Sequence, residues 1–120
     1  MATRPYSIAR RAGDWVVTAG QLGLLDGELV AGGFLAELDQ ALENLHAALT
    51  TEGARLRDVV KTTVFLADIN DWPALNDPYV AFFERDDGPL PARSAFEVAK
   101  LPLGGRVEIE AWAYAPRATT

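Results

Sequence analysis

The sequence contains no cysteine, which removes disulfides, thiolate catalysis and thiolate metal ligation together. Its only histidine, His46, lies between Leu45 and Ala47 in a helical stretch, and one imidazole without a second is poor material for a metal site. No metal centre is expected. No window approaches the roughly 18 consecutive apolar residues of a membrane span, and the opening residues Met1 to Tyr6 lack the apolar core of a secretory leader. A cytoplasmic protein without a membrane partner is the expectation. Basic residues are outnumbered, 11 against 17 acidic, and they are scattered. A net charge of -6 without clustered Lys and Arg disfavours nucleic acid as a partner. The adjacent Arg10 and Arg11 are expected in a solvated turn at a strand end. Repeats, low-complexity tracts and linkers are also missing, so residues 1–120 are expected to form one domain.

Apolar residues make up 49% of the 120, enough for a single packed core. Tyr6 to Arg11 and Trp15 to Gly20 are extended runs separated by Gly13-Asp14, the pattern of a hairpin, and Asp26-Gly27 marks a second tight turn before Glu28 to Val30. A long helix is predicted from about Gly33 to Glu52, because Phe34, Leu38, Ala41, Leu42, Leu45, Ala48 and Leu49 recur at helical spacing and Gly53 follows as a cap. Asp58 to Ala67 is rich in β-branched and aromatic residues and is the clearest strand, reached by a parallel crossover through the long helix. A shorter helix is predicted over Trp72 to Phe83, with Pro78 expected to interrupt it. Strands over about Ala92 to Ala99 and Arg106 to Tyr114 complete the chain. The fold class is therefore α+β: a mixed sheet of five or six strands with both helices on one face.

The closing strands hold the chemistry. Alternation sends Arg93, Ala95 and Glu97 to one side of their strand, and sets Glu108 and Glu110 opposite Val107, Ile109 and Ala111. Arg93, Glu97, Glu108, Glu110 and Trp112 are expected to share the sheet face left open by the helices. An arginine fork grips a planar carboxylate through two parallel hydrogen bonds, and a nearby carboxylate polarises a water, which would suit a small organic acid. A solvated face laced with ion pairs is the plainer reading of the same pattern. Trp112 and Tyr114 make full exposure costly, so a second copy of the chain is expected to cover the face.

Several motifs fall in an ordered series: Pro5-Tyr6, Thr18-Ala-Gly-Gln21, Asn44-Leu45, Glu52-Gly53, Asp58 to Phe65, Asn76 with Tyr79 and Phe82-Phe83, Pro91-Ala-Arg-Ser94, Glu97-Val98 and Val107 to Ala111. In order and spacing the chain resembles the RidA family, also called the YjgF family, over nearly its whole length. The resemblance implies a chorismate-mutase-like subunit that assembles as a homotrimer with sites at the subunit interfaces. It also implies hydrolysis of reactive 2-imino and 2-enamino acids to 2-keto acids and ammonia, without metal or organic cofactor. Carried over residue by residue, Arg93 would hold the substrate carboxylate and Glu108 would activate the attacking water. Tyr6 and the Gly20 main chain would line the pocket, and Glu110 would be supporting. Glu97 or Glu110 would then be the carboxylate partner of Arg93 in the empty site. Two positions depart from the family pattern: Ala95 stands where many deaminating members have cysteine, and Ala19 where a small hydroxyl residue is common. Ala95 thus removes a thiol from the expected pocket wall. A noncatalytic binder of small carboxylates, a member devoted to one biosynthetic or degradative pathway, and the ribonuclease label attached to the family are the alternatives. The acidic pI and the lack of a histidine pair weigh against the last.

Overall fold

The structure, a computed structural model, describes residues 4–117. Its strands are β1 (Ala9–Ala12), β2 (Trp15–Thr18), β3 (Gln21–Leu22), β4 (Leu24–Leu25), β5 (Glu28–Leu29), β6 (Val59–Leu66), β7 (Ala92–Glu97) and β8 (Val107–Tyr114). Its helices are α1 (Phe34–Thr51) and α2 (Trp72–Phe83). β8 is the centre of the main sheet. It pairs antiparallel with β2 and β3 on one side and with β6 on the other, and β7 forms the far edge beside β6. β1 and β2 form the expected hairpin, and β4 and β5 turn at Asp26-Gly27.

Both helices cover the same face of this sheet. Every residue of the apolar stripe anticipated for α1 is buried, and the stripe packs on Val107, Ile109, Ala111 and Ala113 of β8. Each fully buried leucine there contributes roughly 1.5–3 kcal/mol. α1 ends where Gly53 takes a left-handed conformation (φ 77°) and its N–H donates to Thr50 O. α2 joins the same layer through Leu75, Tyr79, Phe82 and Phe83.

β3 and β6 both run antiparallel to β8 and so parallel to each other, which makes α1 the expected parallel crossover, passing over the intervening β8, while α2 makes a second between the adjacent β6 and β7. Two expectations need correction. Pro78 does not interrupt α2, which is continuous from Trp72 to Phe83. Its missing N–H costs one helical bond, but buried Leu75 before it and the buried aromatics Tyr79, Phe82 and Phe83 after it, with Tyr79 and Phe83 ring centroids 4.8 Å apart, hold the helix together. Arg11 is no solvated turn residue: its guanidinium donates to the carbonyls of Gly13, Ala115 and Glu52 at 3.1, 2.8 and 2.7 Å, tying the hairpin to the ends of β8 and α1. Among the described residues no helix is long and apolar enough to cross a membrane.

Candidate active site

A bulge between β2 and β3 builds the floor of the candidate site. Val17 pairs with Trp112 and Gln21 with Ile109, so four steps along one strand face three along the other, and the extra residue lifts Ala19 and Gly20 off the ladder. Thr18 fills the gap by accepting from Ala111 N–H through its hydroxyl at 3.1 Å. The Ala19 N–H turns instead to Ile8 O at 2.9 Å, which draws the segment before β1 alongside the bulge. Asn44 of α1 fixes the next stretch, donating from Nδ2 to the carbonyls of Leu22 and Leu24 at 2.9 Å each, with its own amide oriented by Gln40.

The result is a cleft of about 510 Å³, within the usual range for small-molecule sites, in which Tyr6, Gly20 and Glu108 converge beside Arg4 and Asn44. Glu108 stands on the face of β8 away from the helices, half-buried. Its carboxyl is held above the usual carboxylate range, first because burial strips water from the charged form and second because Glu110 lies two residues along the same face. Gly20 owes its identity to this carboxyl. A Cβ there would lie 2.8 Å from Cδ and Oε2 of Glu108, closer than side chains tolerate. Gly20→Ala is therefore expected to fold normally, because the Glu108 tip can swing away, yet to lose roughly tenfold or more in turnover as the carboxyl leaves its place. Parallel thermal melts and steady-state rates check this.

Arg93 and Ala95 are elsewhere. In register, Arg93 lies beside Thr62 and Ala95 beside Val64, and these β6 residues pair in turn with Ala111 and Ile109, all on the helix-covered face. Arg93, Ala95 and Glu97 thus face the helices, whereas Glu108, Glu110 and Trp112 face away, correcting the single charged face expected from alternation. Within one chain Arg93 and Glu108 are separated by two strand spacings, roughly 10 Å across the sheet, and by a further three residues along it, and they lie on opposite sides. Ala95 packs against the core instead of lining the cleft.

The partner expected for Arg93 also changes. Its Nη2 donates to Asn76 Oδ1 at 2.7 Å, and its guanidinium carbon sits 4.8 Å from the centroid of the Tyr79 ring. Glu97 is occupied by the Ile69 N–H at 3.0 Å, and Glu110 is on the other face. Tyr79 is buried and shares a 2.6 Å hydrogen bond with Thr62, and burial raises its phenol above the usual range. Asn76 and Tyr79 carried no assigned role in the sequence. Their spacing of three residues on a predicted helix, which places both on one face, was the available signal.

Among the described residues no group of three or more His, Asp or Glu side chains is placed to hold a metal ion. His46 packs edge-on against Phe82, with centroids 6.3 Å apart, and does not line the cleft.

Residues 1–115 match a family model described as Endoribonuclease L-PSP. The 2-iminobutanoate/2-iminopropanoate deaminase of Mus musculus is 47% identical over 112 residues, spanning 92% of this chain and 81% of that protein. The chain belongs to the RidA family. Solved RidA-type structures agree with its fold. The crystal structure of RidA from the Antarctic bacterium Psychrobacter sp. PAMC 21119 is 42% identical, with a TM-score of 0.85 over 95% of this chain and 91% of that one. E. coli TdcF with bound serine is 34% identical, with a TM-score of 0.88 over 98% and 91%. The mixed sheet with two helices packed on it is thus the RidA fold.

Proposed function

We propose that this protein hydrolyses reactive 2-imino and 2-enamino acids to 2-keto acids and ammonia, at sites assembled between copies of the chain in a homotrimer. The observation that carries the reading is Glu108: a half-buried carboxyl with a raised pKa, set against bare Gly20 main chain and beside Tyr6 in a cleft. A carboxylate made more basic by burial is suited to take a proton from water. The imine carbon is already electrophilic, so the reaction needs little else. Water adds to C2 as one of its protons passes through Glu108 to the imine nitrogen, giving a neutral carbinolamine; its hydroxyl proton then passes by the same carboxyl to the amino nitrogen, the C–N bond breaks, and ammonia departs to leave the keto acid. Arg93 supplies the carboxylate grip. Support for the reaction class comes from relatives named as 2-iminobutanoate/2-iminopropanoate deaminases and from a relative crystallised with serine, an amino acid whose carboxylate has the same geometry.

Support for assembly comes from the open sheet face. Trp15 (43% exposed), Phe96 (45%), Trp112 (37%) and Tyr114 (46%) lie there with Val17, too much apolar surface for a face left to water. The opposed placement of Arg93 and Glu108 adds a second reason, because a carboxylate held by one can meet the other only if they come from different copies. No cofactor enters this scheme.

The departures at Ala19 and Ala95 favour one alternative, a binder of 2-keto acids without turnover. The deciding experiment supplies 2-aminoacrylate, or imines made in place by an amino-acid oxidase, and follows 2-keto acid and ammonia. Acceleration over the spontaneous rate is expected; tight keto acid binding with no acceleration would sink the catalytic reading.

A further inference from the structure

The two α2-side arginines that sit over aromatic rings differ in one respect. Arg85 lies 4.7 Å from the centroid of the Phe82 ring and pairs with the Glu43 carboxylate at 2.8 Å, an exposed ion pair whose charges cancel locally. Arg93 lies 4.8 Å from the Tyr79 ring and pairs with a neutral amide oxygen. No ion pair among the described residues engages Arg93. The one acidic side chain of its own strand face, Glu97, is turned to the Ile69 N–H.

We infer that Asn76 and Tyr79 form an electrically neutral cradle that orients Arg93 while leaving its whole positive charge for the substrate carboxylate, making Asn76 a positioning and affinity-setting residue. The inference rests on Arg93 being the carboxylate clamp proposed above. A guanidinium has five N–H donors; Asn76 takes one from Nη2 and fixes the fork, and the remainder stay available for a two-point grip. Tyr79 supports the flat face of the fork, and its own ring is pinned by the Thr62 hydroxyl at 2.6 Å from a buried position on the neighbouring strand. A carboxylate at position 76 would anchor Arg93 at least as firmly. It would also compete with the substrate for the same charge, so an amide anchors without competing.

Structural and functional demands therefore separate at this position. Asn76→Asp places a carboxylate against Arg93, so thermal stability should be kept or raised while affinity falls. KM for the imine, and the Kd of the whole assembled protein for pyruvate by calorimetry, should rise roughly tenfold or more, with kcat within about threefold of the parent. Asn76→Ala removes the anchor without adding charge, and should raise KM by less than the aspartate does. A residue with only a structural role would show losses of stability and affinity together, and the alanine variant would be the worse of the two. If Arg93→Ala raises KM but Asn76→Asp leaves KM and Kd within twofold of the parent, the neutral cradle is wrong and the clamp stands. If Arg93→Ala itself leaves pyruvate binding unchanged, the clamp fails and the cradle with it.

Discussion

Replacing Glu108 by glutamine is expected to lower kcat for imine hydrolysis by about a hundred to ten thousandfold, the usual worth of a positioned general base. The same substitution should leave the melting temperature unchanged or higher at neutral pH. The sign follows from the raised pKa. A carboxyl whose folded pKa lies above its unfolded value favours the folded state below the ordinary carboxylate range, and that favour is lost as pH rises through the folded value. At neutral pH the ionised Glu108 is thus a liability to the fold, and an uncharged isostere relieves it. For activity the direction is opposite, because the carboxylate is the working form. The acid limb of kcat/KM should lie above the usual glutamate range and move down when Glu110→Gln removes the neighbouring charge. It should stop short of the ordinary value, because burial is the larger cause and survives that change. Rates and melts measured across pH on the two variants check these outcomes. A Glu108→Gln enzyme as fast as its parent would remove the proposed base.

Arg93→Ala is expected to act on binding. Losing one partner of a hydrogen-bonded charge pair costs about 3 kcal/mol, roughly a hundredfold in kcat/KM, most of it in KM. Arg93→Lys should recover only part of this, because an ammonium keeps the charge but has neither the planar fork nor the flat face that rests on Tyr79. Initial-rate kinetics on both variants, with circular dichroism to confirm folding, test the ordering. Equal KM values in parent and Arg93→Ala protein would contradict the clamp.

The long helix, the strand Val59–Leu66 and the alternation within Val107–Tyr114 were legible in the sequence because one covered face imposes a period on each of them. The relative placement of Arg93 and Glu108 was not. Alternation tells which residues of a strand share a side, but which side of one strand matches which side of the next is set by register. Here the pairing of Thr62 with both Arg93 and Ala111 decides it, and no local pattern records that pairing. The bulge at Ala19 and Gly20 escaped for a related reason: it is a mismatch in step count between segments some ninety residues apart, as the pairing of Gln21 with Ile109 shows. Asn76 escaped because a polar residue on a helix is ordinarily solvated, and only the fold brings an arginine to it.

The opposed faces of Arg93 and Glu108 also bear on inheritance. On the proposed assembly each site is jointly owned, its clamp drawn from one copy and its base from another. A copy defective in either residue then disables a site to which a sound neighbour contributed, while two copies defective in different residues can still make a sound site between them. The effect of a faulty allele would depend on which half of the site it damages and on whom that copy meets during assembly.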